Sequence, residues 1–93
     1  MIRSFADRAT ERLFRDGECP ARWRAFEAVA LRKLDMLDAA VRLDDLKSPP
    51  GNRLEALKGD RAGQHSIRIN RQWRLCFRWT AEGPETVTIV DYH

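Results

Sequence analysis

Apolar and polar residues alternate most regularly between residues 64 and 79. Trp73, Leu75, Phe77 and Trp79 fall on one side of an extended chain, and Arg74, Cys76 and Arg78 fall on the other. A period of two with apolar side chains on one side is the mark of a half-buried strand. Residues 66–70 alternate in the same way, with Ile67 and Ile69 opposed to Ser66, Arg68 and Asn70. Asn70 and Arg71 lie between the two runs, and asparagine tolerates positive φ, so a two-residue hairpin turn is expected. The pattern predicts a sheet with an apolar back and an arginine-bearing front.

Upstream the period changes. Trp23, Phe26, Ala30, Leu34, Leu37 and Val41 follow one another at steps of three or four, the apolar stripe of an amphipathic helix. Pro20 suits the opening of this helix, and the apolar sheet back is the natural surface for its stripe. A shorter helix is expected over residues 5–15, capped by Ser4, burying Ala6, Ala9 and Leu13, and stopped by Gly17. Residues 2–4 are expected to form a short strand. Residues 47–52, KSPPGN, read as a loop. Beyond it come a weak strand at 53–57, turns at 58–63 and 81–85, and a last strand at 86–90. The order predicts one α+β domain over residues 1–93, with two N-terminal helices packed on one face of a small antiparallel sheet.

Composition narrows the function. Apolar content of 43% and charged content of 33% fit a folded domain. No apolar run approaches the ~18 residues of a membrane span, and the first residues lack the apolar centre of a signal peptide. A cytoplasmic protein without a membrane partner is expected. Cys19 and Cys76 are far apart and belong to no metal-spaced cluster, so neither a metal site nor a disulfide framework is expected. Residues 53–78 hold seven basic residues (Arg53, Lys58, Arg61, Arg68, Arg71, Arg74 and Arg78) against Glu55 and Asp60, a net of +5 where the whole chain carries +3. Positive charge gathered on one sheet points to a polyanion.

The chain ends Asp91-Tyr92-His93. If the last strand pairs with residues 73–79, its end approaches the arginine face. Histidine is the side chain best poised for proton transfer near neutral pH; Asp91 could orient it, and Tyr92 could donate a hydrogen bond or stack on a base. RNA is cut without metal when a base takes the 2′-OH proton, cations hold the phosphorane charge and an acid protonates the leaving oxygen. His93 fits the proton transfer, Arg74 and Lys58 the charge, and Arg61, Arg68, Arg71 and Arg78 the backbone contacts. No nucleotide loop or other cofactor signal is present. His65 reads as structural, and the Cys76 thiol as a space-filler on the front face.

Residues 54–61 (LEALKGDR), 66–70 (SIRIN), the Trp73-Arg74 pair and residues 89–93 (IVDYH), together with the opening Ile2-Arg3-Ser4-Phe5, resemble the HigB toxins of the RelE/ParE superfamily. The resemblance spans nearly the whole chain. It implies a RelE-like fold and a ribosome-dependent endoribonuclease that cleaves mRNA in the ribosomal A site. It also implies neutralisation by a HigA-type helix-turn-helix antitoxin, which would be the toxin's only route to operator DNA. Matched by position, His93 takes the place of the family's catalytic histidine, with Asp91 and Tyr92 beside it and Lys58 and Arg74 as the catalytic basic residues. Some HigB toxins carry another histidine three residues before that lysine; here the residue is Glu55. Two other readings compete: a ParE-like toxin that poisons gyrase by binding it, and a non-catalytic nucleic-acid-binding module.

Overall fold

The hairpin at the centre of the pattern forms. In the computed structural model, which describes residues 1–92, β2 (His65–Arg68) and β3 (Trp73–Thr80) run antiparallel with Ile67 opposite Leu75 and Arg68 opposite Arg74. The connection is longer than the expected two-residue turn, since Arg68 and Arg74 are the last pair in the ladder, and Asn70 organises it with its side chain rather than through positive φ. Its Oδ1 accepts the backbone N–H of Gln72 and of Trp73, each at 2.8 Å, an Asx-type turn. β1 is only Glu55–Ala56, and β4 is Gly83–Asp91, so the sheet is a meander in the order β1-β2-β3-β4. β4 begins three residues before the expected start. Thr80 donates its hydroxyl to the Gly83 carbonyl, and Pro84 accepts the Arg3 N–H, both of which pull the predicted turn into the ladder.

Two helices accompany the sheet, as expected. α1 (Arg8–Asp16) is capped by Asp7, whose carboxylate accepts the Thr10 N–H at 3.0 Å, and Gly17 ends it at φ 71°. Ser4 does not cap because its hydroxyl is committed elsewhere: it accepts the Thr86 N–H at 2.9 Å and holds the extended first residues along β4. The buried Thr10 hydroxyl accepts the Ile89 N–H, fixing α1 to the same strand.

The second helical region opens with a 3₁₀ turn over residues 21–26 and becomes α2 (Glu27–Ala39). Trp23, Phe26, Ala30, Leu34 and Leu37 are buried with Ile67, Leu75, Phe77 and Ile89, so the stripe does meet the sheet back. Trp73 closes the seam, with its ring 5.3 Å from Phe26 and 6.4 Å from Trp23, centroid to centroid. Val41 is not part of this core and is 84% exposed. α2 has already ended, and Asp45 accepts the N–H groups of Val41 and Arg42 to start a new 3₁₀ turn whose Leu46 fills the core instead. Among the described residues, no helix is long and apolar enough to cross a membrane.

The loop at 47–52 is anchored, not loose. Asn52 is fully buried; its Nδ2 donates to the carbonyls of Leu46 and Ser48 and to the Met36 sulfur, while its Oδ1 accepts from Lys33. A buried polar group that loses its partners costs about 1–3 kcal/mol. Asn52→Ala is therefore expected to lower the melting temperature by roughly 5–20 °C, read by circular dichroism. A change of a degree or two would mean the loop does not depend on this residue.

Candidate active site

Strand alternation puts Ser66, Arg68, Arg74 and Cys76 on the sheet face turned away from the core. The expectation was an arginine-bearing front lying against a polyanion. On that front Arg74 is only 8% exposed and Cys76 is fully buried. Arg74 is held on two sides: its Nε donates to Ser66 Oγ at 2.7 Å, and its Nη2 donates to the Arg53 carbonyl at 2.7 Å and to the Ser66 carbonyl at 3.4 Å. The Arg53 carbonyl can serve because Arg53 leaves the anchored loop in a left-handed conformation, φ 46°. Among the described residues, no hydrogen bond engages Nη1. The result is a buried, permanently charged fork whose position is set by Ser66 and Arg53.

Tyr92 lies across this arginine. Its backbone N–H donates to the Gln72 carbonyl at 2.6 Å, the Arg74 guanidinium sits 5.5 Å from its ring centre, and its hydroxyl donates to Glu55 Oε1 at 3.3 Å. The aromatic side chain thus spans from the end of β4 to β1. Asp91, one residue earlier, points the other way by strand alternation, and its carboxylate accepts from Gln72 Nε2 at 3.0 Å.

A cleft opens on each side of Tyr92. One, of about 270 Å³, is lined by Glu55, Ala56, Leu57, Lys58, Arg61 and Tyr92. The other, of about 300 Å³, is lined by Arg53, Arg68, Asn70, Arg71, Arg74 and Tyr92. Burial pushes the Cys76 thiol pKa up; Arg61 and Arg74 offset part of the shift, and Glu55 adds to it. These groups therefore share one electrostatic environment around a thiol that stays protonated at neutral pH.

Lys58, Arg61, Arg68, Arg71, Arg74 and Tyr92 come together at this double cleft. Arg78 does not line either half. It lies over the 59–63 turn, where its Nη1 would be 2.9 Å from a Cβ on Gly63, which adopts φ 91°. His65 pairs with Phe77 on the back of the sheet and stacks on its ring, a structural placement. His93, the residue expected to transfer protons, lies outside the described residues. Sequence reading missed Arg53 and Ser66 as the supports of Arg74. Ser66 was legible as a front-face residue in register with the arginine; the turn at Arg53 had only the preceding Pro-Pro-Gly-Asn as a signal.

A family model described as a HigB-like toxin, the RelE-like toxin of the type II toxin–antitoxin system HigB, matches residues 3–93. Toxin HigB-1 of Vibrio cholerae is 40% identical over 97 aligned residues, which cover 100% of this chain and 98% of that protein. An uncharacterized protein of Haemophilus influenzae is 45% identical over 51 residues, 55% of this chain and 50% of its own length. Among solved structures, the YoeB/ParE toxin from Agrobacterium tumefaciens aligns at 26% identity and a TM-score of 0.44, covering 77% of this chain and 83% of that one. The family match across nearly the whole chain, joined to a full-length relative, establishes that the protein belongs to the HigB-like family of RelE-like toxins of type II toxin–antitoxin systems.

Proposed function

We propose that the protein is an endoribonuclease that cuts mRNA in the ribosomal A site without a metal ion, in the cytoplasm, and is silenced by a HigA-type helix-turn-helix antitoxin. Membership of a type II toxin family already implies an antitoxin as partner; its HigA character and the ribosomal substrate are the finer reading. The observation that carries the reading is Arg74. A guanidinium fixed by Ser66 and Arg53 before any substrate arrives is a preorganised cation, which stabilises developing negative charge without reorganisation during the reaction.

Around it the roles divide by chemistry. His93 transfers the proton near neutral pH. Lys58 and Arg74 hold the charge of the phosphorane. Arg61, Arg68 and Arg71 take the RNA backbone, and Arg78, outside both clefts, adds to the long-range attraction. Tyr92 offers a ring to a base. Glu55, standing where some relatives carry a histidine, receives the Tyr92 hydroxyl and orients that ring. Asp91 supports the segment through Gln72.

The test is to add the purified protein to translating ribosomes and map mRNA ends by primer extension. Cuts inside the A-site codon are expected. Uncut mRNA together with gyrase-dependent DNA breaks would place the protein with the ParE-like toxins instead.

A further inference from the structure

The two clefts differ in charge. Glu55 stands among the cations of the first, whereas Arg53, Arg68, Arg71 and Arg74 crowd the second, with no carboxylate among the described residues that line it. Like charges this close repel, and proteins ordinarily relieve the repulsion with an acidic partner. The ion pairs among the described residues are Arg15–Glu11, Arg42–Asp44 and Lys47–Asp44, and none involves a cleft arginine. Arg68 Nε is instead held by the Asn70 carbonyl at 3.1 Å, and Arg74 by neutral oxygens. The cleft is therefore assembled from hydrogen bonds to neutral acceptors, and its positive charge is left for a ligand.

We propose that this second cleft contains a phosphodiester subsite of its own. With the cut phosphate at the Tyr92 boundary, between Lys58 of the first cleft and Arg74 of the second, Arg68, Arg71 and Arg53 hold the phosphate next to it, and Arg53 is the unassigned member. Planar guanidiniums match phosphate oxygens in pairs. Among the described residues the two clefts share Tyr92 alone, so a strand that occupies both crosses the tyrosine ring, which serves as a stacking surface for one of its bases. Arg53 acts twice in this arrangement. Its carbonyl fixes Arg74 in the catalytic position, and its side chain meets the neighbouring phosphate. The inference rests on the ribonuclease reading for the identity of the strand as RNA.

The experiment uses the full-length protein and an uncleavable 2′-O-methyl RNA hexanucleotide, with affinity measured by fluorescence anisotropy over a series of KCl concentrations. Each phosphate contact on a single strand contributes about 0.7 to the slope of log K against log salt. Arg53→Ala is expected to weaken binding about tenfold and to reduce the slope by about 0.7. Arg71→Ala, in an exposed turn where folding is not at stake, is expected to do the same. Arg53→Lys should restore the slope and only part of the affinity, because it keeps the charge and loses the fork. Arg42→Ala, remote from the cleft, leaves both unchanged. On ribosomes, Arg53→Ala should raise KM with kcat within about threefold of the parent, the split expected of a ground-state binding contact. A parent that does not bind the hexanucleotide, or Arg53 and Arg71 variants that keep its affinity and slope, would overturn the subsite even if ribosomal cleavage is intact. Slope changes as predicted, with no ribosomal cleavage by the parent, would support the subsite and remove the nuclease reading.

Discussion

Replacing Arg74 with alanine is expected to slow A-site cleavage about 10²–10³-fold, the usual effect of removing one preorganised group that stabilises transition-state charge. The same change also removes a buried side chain that satisfies Ser66 and the Arg53 carbonyl, so it should cost about 1–3 kcal/mol of stability. Activity and stability will fall together in this variant, and alanine alone cannot separate them. Arg74→Lys does. Lysine keeps the charge in the same place but cannot reach Ser66 and Arg53 with one planar fork. Its ammonium still donates to one of these buried oxygens and should recover part of the melting temperature. It leaves no second donor edge fixed toward the phosphorane, however, and should recover little of the single-turnover rate. Near-parental cleavage by either variant would make Arg74 a structural residue only.

His93→Gln is expected to reduce cleavage by about 10²–10⁴-fold, the range over which a general acid or base contributes. Glutamine occupies similar space and forms hydrogen bonds but cannot exchange a proton near pH 7. The sharper reading is the pH–rate profile. The parent should show an inflection attributable to a histidine, whose ordinary pKa is near ~6.5, and the variant should lose it. A variant that retains both rate and inflection would assign the proton transfer to another group. Glu55 is the first alternative, since among the described residues it alone brings a carboxylate into the Tyr92 clefts.

How far the sequence could be read depended on how local the governing interactions were. The hairpin at 64–79, the apolar stripe from Trp23 to Leu37 and the stop at Gly17 follow from period and conformation, and these were legible. Helix starts were less so. Ser4 and Asp7 are both competent caps, and the choice between them is settled by Thr86, distant in the chain. Val41 fits the stripe in spacing, but Asp45 ends the helix first and brings Leu46 into the core in its place.

At the site, alternation grouped Arg68, Arg74 and Cys76 on one face but carried no sign that Arg74 and Cys76 are buried there. What covers the arginine is non-local. The Arg53 carbonyl depends on a left-handed turn set by the buried Asn52, and the Tyr92 ring arrives from the far end of the last strand. Asp91 and Tyr92, adjacent in sequence, part company because successive strand residues face opposite sides. Arg78, one of the seven basic residues in the window, is drawn over Gly63 and away from the clefts.

One claim is central to the proposed function: a fixed cation beneath Tyr92 and proton transfer by His93 drive the 2′-hydroxyl of a message onto its own phosphate. The direct measurement is mass spectrometry of the fragment ends released from programmed ribosomes. The account predicts a 2′,3′-cyclic phosphate or 3′-phosphate upstream and a 5′-hydroxyl downstream. Fragments bearing a 3′-hydroxyl and a 5′-phosphate would contradict it, because water rather than the 2′-hydroxyl would then have been the nucleophile.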